Sequence, residues 1–200
     1  LIFIELNDED DAYIIFETLN TRGKDLNVSD LVKNLLVKYI PTANQSVDTT
    51  RIQWGQILST MEESSADLEV DSFLHHYWLS KHDYITQKKL FKAVKKYVKR
   101  ENAQSFLSEL CSDAVTYREL HETASREWTH EERKLKQSLN ALSIFRVKQQ
   151  IPMTLSIMRE YKNGSLKIKH VLAILSAIEN FHFIFTAVTS QRSSGGISLM

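Results

Sequence analysis

Apolar residues recur at helical spacing along almost all of this chain. The exception is the start, where Leu1, Ile2, Phe3 and Ile4 form a short β-branched and aromatic run that predicts one strand over residues 1–6. Ala12, Ile15, Phe16 and Leu19 then fall on one helical stripe behind the acidic first turn of Glu9, Asp10 and Asp11. Asn27 is placed to cap a second helix, whose apolar face is Val28, Leu31, Val32, Leu35, Leu36 and Tyr39, and Pro41 stops it. The pattern predicts further helices over about 47–63, 68–81 and 86–100, with Thr86 capping the last of these. Val70, Phe73, Leu74, Tyr77 and Trp78 line one of them, and Leu90, Phe91, Val94, Tyr97 and Val98 the next. A long helix follows Asn102 through Phe106, Leu107, Leu110, Ala114, Tyr117 and Leu120. Thr129 and Glu132 have capping-box spacing ahead of Leu135, Leu139, Leu142 and Phe145. Pro152 suits the first position of a helix that ends near Gly164, and Ser165 caps a last one striped by Val171, Leu172, Leu175, Ile178, Phe181 and Phe185.

The expected fold class is therefore mainly α: a multi-helix domain of about eight or nine helices behind one short N-terminal strand. A polar link at 42–46 suggests a boundary after residue 41, leaving a helical domain over 42–189 and a Ser/Gly-rich tail or linker over 190–200. The chain opens on Leu1, inside an apolar run, as a fragment of a larger protein would.

Composition narrows the classes. The hydrophobic fraction of 42% supports a core, and 5 Gly with 2 Pro argue against a loop-rich chain. Net charge is zero, which removes any global pull toward nucleic acid or an anionic membrane. Cys111 is the single cysteine, so neither an intrachain disulfide nor a cysteine zinc cluster can form, which fits a reducing cytoplasm. Val171–Val188 is interrupted by Glu179, Asn180 and His182 and makes a poor membrane span.

Two stretches carry candidate chemistry. In the turn between the first two helices, Asn20, Arg22, Gly23 and Lys24 precede a helix N-terminus, where backbone N–H groups can hold a phosphate. Arg22 would bind it bidentately and Lys24 as a point charge, with Asp30, Lys33 and Asn34 on the following turns. The competing account is structural: Asn20 ends a helix, Gly23 makes the turn, and Arg22 pairs with Asp25 or Asp30. The second stretch is the basic segment 86–100, where Lys88, Lys92, Lys95 and Lys99 are spaced to line one face, with no acid among them. It suits a DNA backbone, or it is a solvated face paired with acids from elsewhere. No metal site is expected: His75 and His76 point to different faces, and His121, His130, His170 and His182 lack partners at ligand spacing. Arg192 with Gly195 and Gly196 forms a segment that can wrap a phosphate or be a mobile loop, and the Ser/Gly composition favours the loop.

Residues 16–34, FETLNTRGKDLNVSDLVKN, resemble the signature FxxLNxxGxxLxxxDLxKN of a prokaryotic domain that forms the N-terminal half of GmrSD-type, modification-dependent restriction endonucleases. Phe16, Leu19, Asn20, Gly23, Leu26, Asp30, Leu31, Lys33 and Asn34 carry the match. FLHHYWLSK (73–81), the basic segment, Pro152 and IENFHFIFTAVTSQRSSGG (178–196) resemble the family in the same order. The resemblance implies a ParB/sulfiredoxin-like nucleotide-handling core ending near residue 41, followed by a helical part. It also implies a parent that uses GTP or ATP with Mg, and a prokaryotic cytoplasmic setting in phage defence. The family's Asp-Gly-Gln-Gln-Arg motif is absent from this chain, as is the His-x-x-Pro of an HNH nuclease: Lys38 and Gln149 stand three residues before Pro41 and Pro152. No catalytic residue is therefore expected here, no cofactor in this chain alone, and no independent catalysis. The expected role is to link a nucleotide or DNA site to a nuclease half. The alternative is a non-catalytic helical interaction scaffold. The expected partners are DNA and the missing parts of the same chain, with no membrane.

Overall fold

The computed structural model describes residues 27–40, 49–144 and 148–185, and these are mainly helical, with no strand among them. Eight α-helices follow in order: α1 (Val28–Tyr39), α2 (Thr49–Glu62), α3 (Val70–Leu79), α4 (Leu90–Tyr97), α5 (Ala103–His121), α6 (Arg133–Ile144), α7 (Ile151–Lys162) and α8 (Ile168–Phe183). Short 3-10 turns at Gln87–Lys89 and Thr123–Ser125 precede α4 and follow α5. The expected strand over 1–6, the helix before the turn, the boundary at 41/42 and the tail over 190–200 lie outside the described residues. No helix among the described residues is long and apolar enough to cross a membrane.

The 19-residue α5 is the axis of the packing. It lies against α1, α2, α3, α6 and α7, while α8 packs on α6 and α7. A helix enclosed on so many sides must be apolar around much of its girth. Ala103, Phe106, Leu107, Leu110, Ala114 and Tyr117 are accordingly buried, joining Val32 and Leu36 of α1, Trp54, Ile57 and Met61 of α2, and Phe73, Leu74 and Tyr77 of α3 in one core. Leu155, Met158, Val171 and Leu175 extend that core through α7 and α8. Phe73 sits 5.2 Å from Tyr117 and Tyr77 5.6 Å from Phe106, the latter pair edge to face.

Helix boundaries follow local chemistry. The Thr129 hydroxyl accepts the Glu132 N–H at 3.3 Å while the Glu132 carboxylate accepts the Thr129 N–H at 3.1 Å, the reciprocal pair that the spacing predicts before α6. Pro152 occupies the first turn of α7, and Gly164 beyond its end takes the left-handed φ of 77°.

Several expectations need correction. Asn27 holds the N-cap position of α1 but its side chain makes no capping bond. Asp71, from the first turn of α3, does so instead: its carboxylate accepts the N–H groups of Val28 and Ser29 at 2.9 and 2.8 Å. The basic helix is shorter than 86–100. Val98 turns extended and is fully buried, and the Asn102 amide takes over the freed backbone, bonding Lys99 N–H and Tyr97 C=O. This leaves Tyr97 47% exposed, outside the core. Ser165 does not cap the last helix, which begins three residues later behind Lys167. Its buried stripe runs Val171, Leu175, Ile178, His182, Phe185, so that Phe181, displaced from the stripe, is exposed.

Asp71→Ala leaves the first N–H donors of α1 unpaired and is expected to cost about 0.5–2 kcal/mol, whereas Asn27→Ala costs only a few tenths. Urea denaturation of the two variants checks the ranking, and equal losses would show that Asp71 is not the cap.

Candidate functional site

Of the residues predicted to bind a phosphate, Asn20, Arg22, Gly23 and Lys24 lie outside the described residues. Asp30, Lys33 and Asn34 lie on the first two turns of α1, with Asp30 and Asn34 exposed and Lys33 half-buried. Asp30 lines a cleft of about 470 Å³ together with Asn27, Ser29, Glu69, Asp71 and Gln87. Two of the N–H donors at this helix end are engaged by Asp71, and Asp30, Glu69 and Asp71 make the cleft acidic.

The cleft reaches Gln87, in the turn that opens the basic segment, and α4 packs directly on α1. Tertiary packing thus brings the two sequence-predicted groups to neighbouring elements. Lys92 and Lys95 sit on α4 itself, Lys88 on the 3-10 turn before it, and Lys99 on the extended exit, so one helix does not carry all four. Lys88, Lys89, Lys92, Lys96, Lys99 and Arg100 are exposed, and none of the six is ion-paired to a carboxylate among the described residues. Lys95 is half-buried. Exposed Tyr97 stands within this surface, its ring 4.7 Å from His82 and 6.0 Å from Trp78.

Sequence reasoning missed a second constellation, a buried charge network between α5 and α7. Arg159 grips Asp113 with Nε at 2.9 Å and Nη2 at 2.6 Å from Oδ2, and Nη2 also donates to the Ser80 hydroxyl at 2.7 Å. One turn further along α7, Lys162 donates to the Thr116 hydroxyl at 2.9 Å and lies 2.7 Å from the Glu119 carboxylate. Arg126 lies 3.7 Å from that same carboxylate, donates to Glu132 at 2.6 Å and stacks 3.8 Å over the Trp128 ring. Tyr161 completes Glu132 at 3.1 Å. Three carboxylates (Asp113, Glu119, Glu132) thus meet three cations (Arg126, Arg159, Lys162). Burial alone would raise the Glu132 carboxyl, but the Thr129 N–H, Arg126 and Tyr161 hold it below its ordinary range. The detectable signal was Asp113, Thr116 and Glu119 at every third position of α5 facing Arg159 and Lys162 at the same spacing on α7.

These groups are charge-compensated anchors. Cys111 donates to the Gln53 carbonyl at 3.4 Å and burial pushes its thiol pKa up, the reverse of an activated nucleophile. His76 pairs with the Tyr117 hydroxyl at 2.9 Å, and burial with nearby His75, His121 and Lys148 pushes its pKa down to about 4. His75 is bonded to the Ile85 carbonyl at 2.9 Å. No group of three His, Cys, Asp or Glu side chains that could hold a metal ion occurs among the described residues.

No protein-family model, curated protein or solved structure matches the chain. The resemblance to the GmrSD-type domain therefore rests on the quoted residues alone.

Removing one partner of a buried ion pair strands the other. Asp113→Ala is expected to cost about 3–5 kcal/mol, and Asp113→Leu with Arg159→Met together much less than either alone. A double-mutant cycle by chemical denaturation checks this, and strict additivity would argue against coupling. For His76 the unfolded chain binds the proton more tightly, so stability is full above pH 6.5 and falls toward pH 4. The drop from 6.5 to about 4 corresponds to roughly 3 kcal/mol. Denaturation at pH 7.5 and 5 is expected to show about 2 kcal/mol of this loss in wild type, the rest following below pH 5, and a shallower loss in His76→Gln.

Proposed function

We propose that this chain is the helical, DNA-contacting part of a nucleotide-dependent, modification-dependent restriction protein of the GmrSD type, without catalysis of its own. The observation that carries the reading is the basic surface over 88–100, with six exposed cations that have no carboxylate partner among the described residues. A solvated structural face is ordinarily interspersed with acids; a phosphate-tracking one is not. The surface abuts α1, whose Asp30, Leu31, Lys33 and Asn34 complete the family-like motif. In this reading Asn20, Arg22, Gly23 and Lys24, with Lys33 and Asn34, form the edge of a nucleotide site. The remainder of that site, the GTP or ATP it would take, its Mg and any nuclease half belong to the parent protein in a prokaryotic cytoplasm.

A second reading, a helical interaction scaffold, is favoured by the exposed Phe181, Phe183 and Ile184 at the end of α8. The two separate on one titration. Fluorescence anisotropy with duplex DNA of about 30 base pairs, followed between roughly 50 and 200 mM salt, should give a steep loss of affinity with salt. The variant Lys92→Glu/Lys96→Glu/Lys99→Glu should weaken binding irrespective of DNA sequence and reduce the log–log salt slope by roughly 2 to 3. Unchanged affinity and slope, with the helical spectrum intact, would favour the scaffold.

A further inference from the structure

A cavity of about 360 Å³ lies where α5, α6 and the start of α7 meet, away from the basic surface. Its walls are apolar: Leu120 from α5, Leu139 and Leu142 from α6, and Ile151 from α7. His121, Ser143, Lys148, Gln150 and Thr154 interrupt them. Gln150, at the N-cap of α7, is only 8% exposed, and its Oε1 has no hydrogen-bond partner. A buried amide oxygen left unpaired costs about 1–3 kcal/mol, so it marks a place that an additional donor would stabilise. The nearby Thr154 hydroxyl does not serve, because it donates to the Gln150 backbone carbonyl at 2.8 Å.

His121 is another of these polar groups. Its Nδ1 lies 2.8 Å from the Tyr117 carbonyl, which can only accept, so Nδ1 carries the hydrogen. Burial lowers its pKa against the raising effect of that bond, and Lys148 lowers it further. The neutral ring then presents Nε2 as an acceptor with no partner among the described residues. Gln150 Oε1, buried, and His121 Nε2, on a half-buried ring, are therefore acceptors set in a largely apolar wall. Lys148, the charged lining residue, is exposed and keeps its ammonium in water at the rim.

We propose that this cavity binds a small, largely apolar molecule carrying one N–H or O–H donor, whose hydrogen is taken by Gln150 Oε1 or His121 Nε2, and for which indole is a simple probe. The volume falls within the range of small-molecule sites, and the pattern of an apolar box with few convergent polar groups is theirs. The site is independent of the DNA reading.

The test compares indole with indene, which has nearly the same shape but lacks the N–H. Isothermal titration calorimetry on the whole chain is expected to show indole binding about tenfold tighter than indene. In Gln150→Leu that preference should shrink to within about twofold while indene affinity is kept or improved. The ¹⁵N-resolved side-chain amide of Gln150 in the wild type should shift further at saturation with indole than at saturation with indene, which decides the matter should Gln150→Leu fail to fold. Equal affinities for the two compounds, no binding of either, or a preference that survives Gln150→Leu would each overturn the proposal.

Discussion

The ion pair between Asp113 and Arg159 is the contact on which the arrangement of this protein depends. It joins the middle of α5 to α7, and through Ser80 it ties both to the C-terminal end of α3. Two charges this deeply enclosed are tolerable only when nearly every lone pair and proton is used. The guanidinium supplies three such bonds to the carboxylate and a fourth to the hydroxyl. The position of α7 on α5 is thereby set to within the reach of a bidentate contact. Apolar packing alone constrains sliding along a helix less tightly.

From that anchor the rest of the charge network follows. Lys162 meets Glu119 because it sits one turn beyond Arg159 on the same face of α7. Arg126 then bridges Glu119 to Glu132, whose other duty is to cap α6. A single chain of contacts thus specifies where α6 begins and how α7 crosses α5. Such compensation also explains why the buried ionisable groups described here look inert. Compensation is by charge more than by hydrogen bonds at the network's far end, where Glu119 Oε2 and Arg126 Nε make none, and the amide oxygen of Gln150 at a cavity wall is likewise unpaired.

The outer surface obeys the opposite logic. Around α4, Lys88, Lys89, Lys92, Lys96, Lys99 and Arg100 are exposed and not ion-paired to a carboxylate among the described residues, in a chain whose formal net charge is zero. The charge is locally segregated: Asp30, Glu69 and Asp71 line the cleft, Asp113, Glu119 and Glu132 the network, and Lys88–Arg100 carries no acid. The N-terminus of α1 shows a related exchange. Its donors hold an anion, as a free helix end does, but that anion is Asp71 of the same chain.

Much of the architecture was legible in the residues themselves. The stripes of α1, α3, α5 and α6, the reciprocal cap at Thr129 and Glu132, and the placing of Pro152 and Gly164 are all consequences of spacing within a turn or two, which local geometry dictates. Lys88, Lys92 and Lys99 were likewise recognisable as a basic surface, since exposure is the default for lysine. Tertiary structure decided what local spacing leaves degenerate. Asp113, Thr116 and Glu119 look like solvent-facing positions of an amphipathic helix until α7 covers them. Tyr97 and Phe181 look like core until an early helix end and His182 displace them. Asn27 looks like a cap until Asp71 arrives from 44 positions along the chain to accept the bonds. In each case the deciding partner is distant in sequence. A residue's own neighbours determine which helix it joins, whereas which face of that helix meets water is set by whatever packs against it.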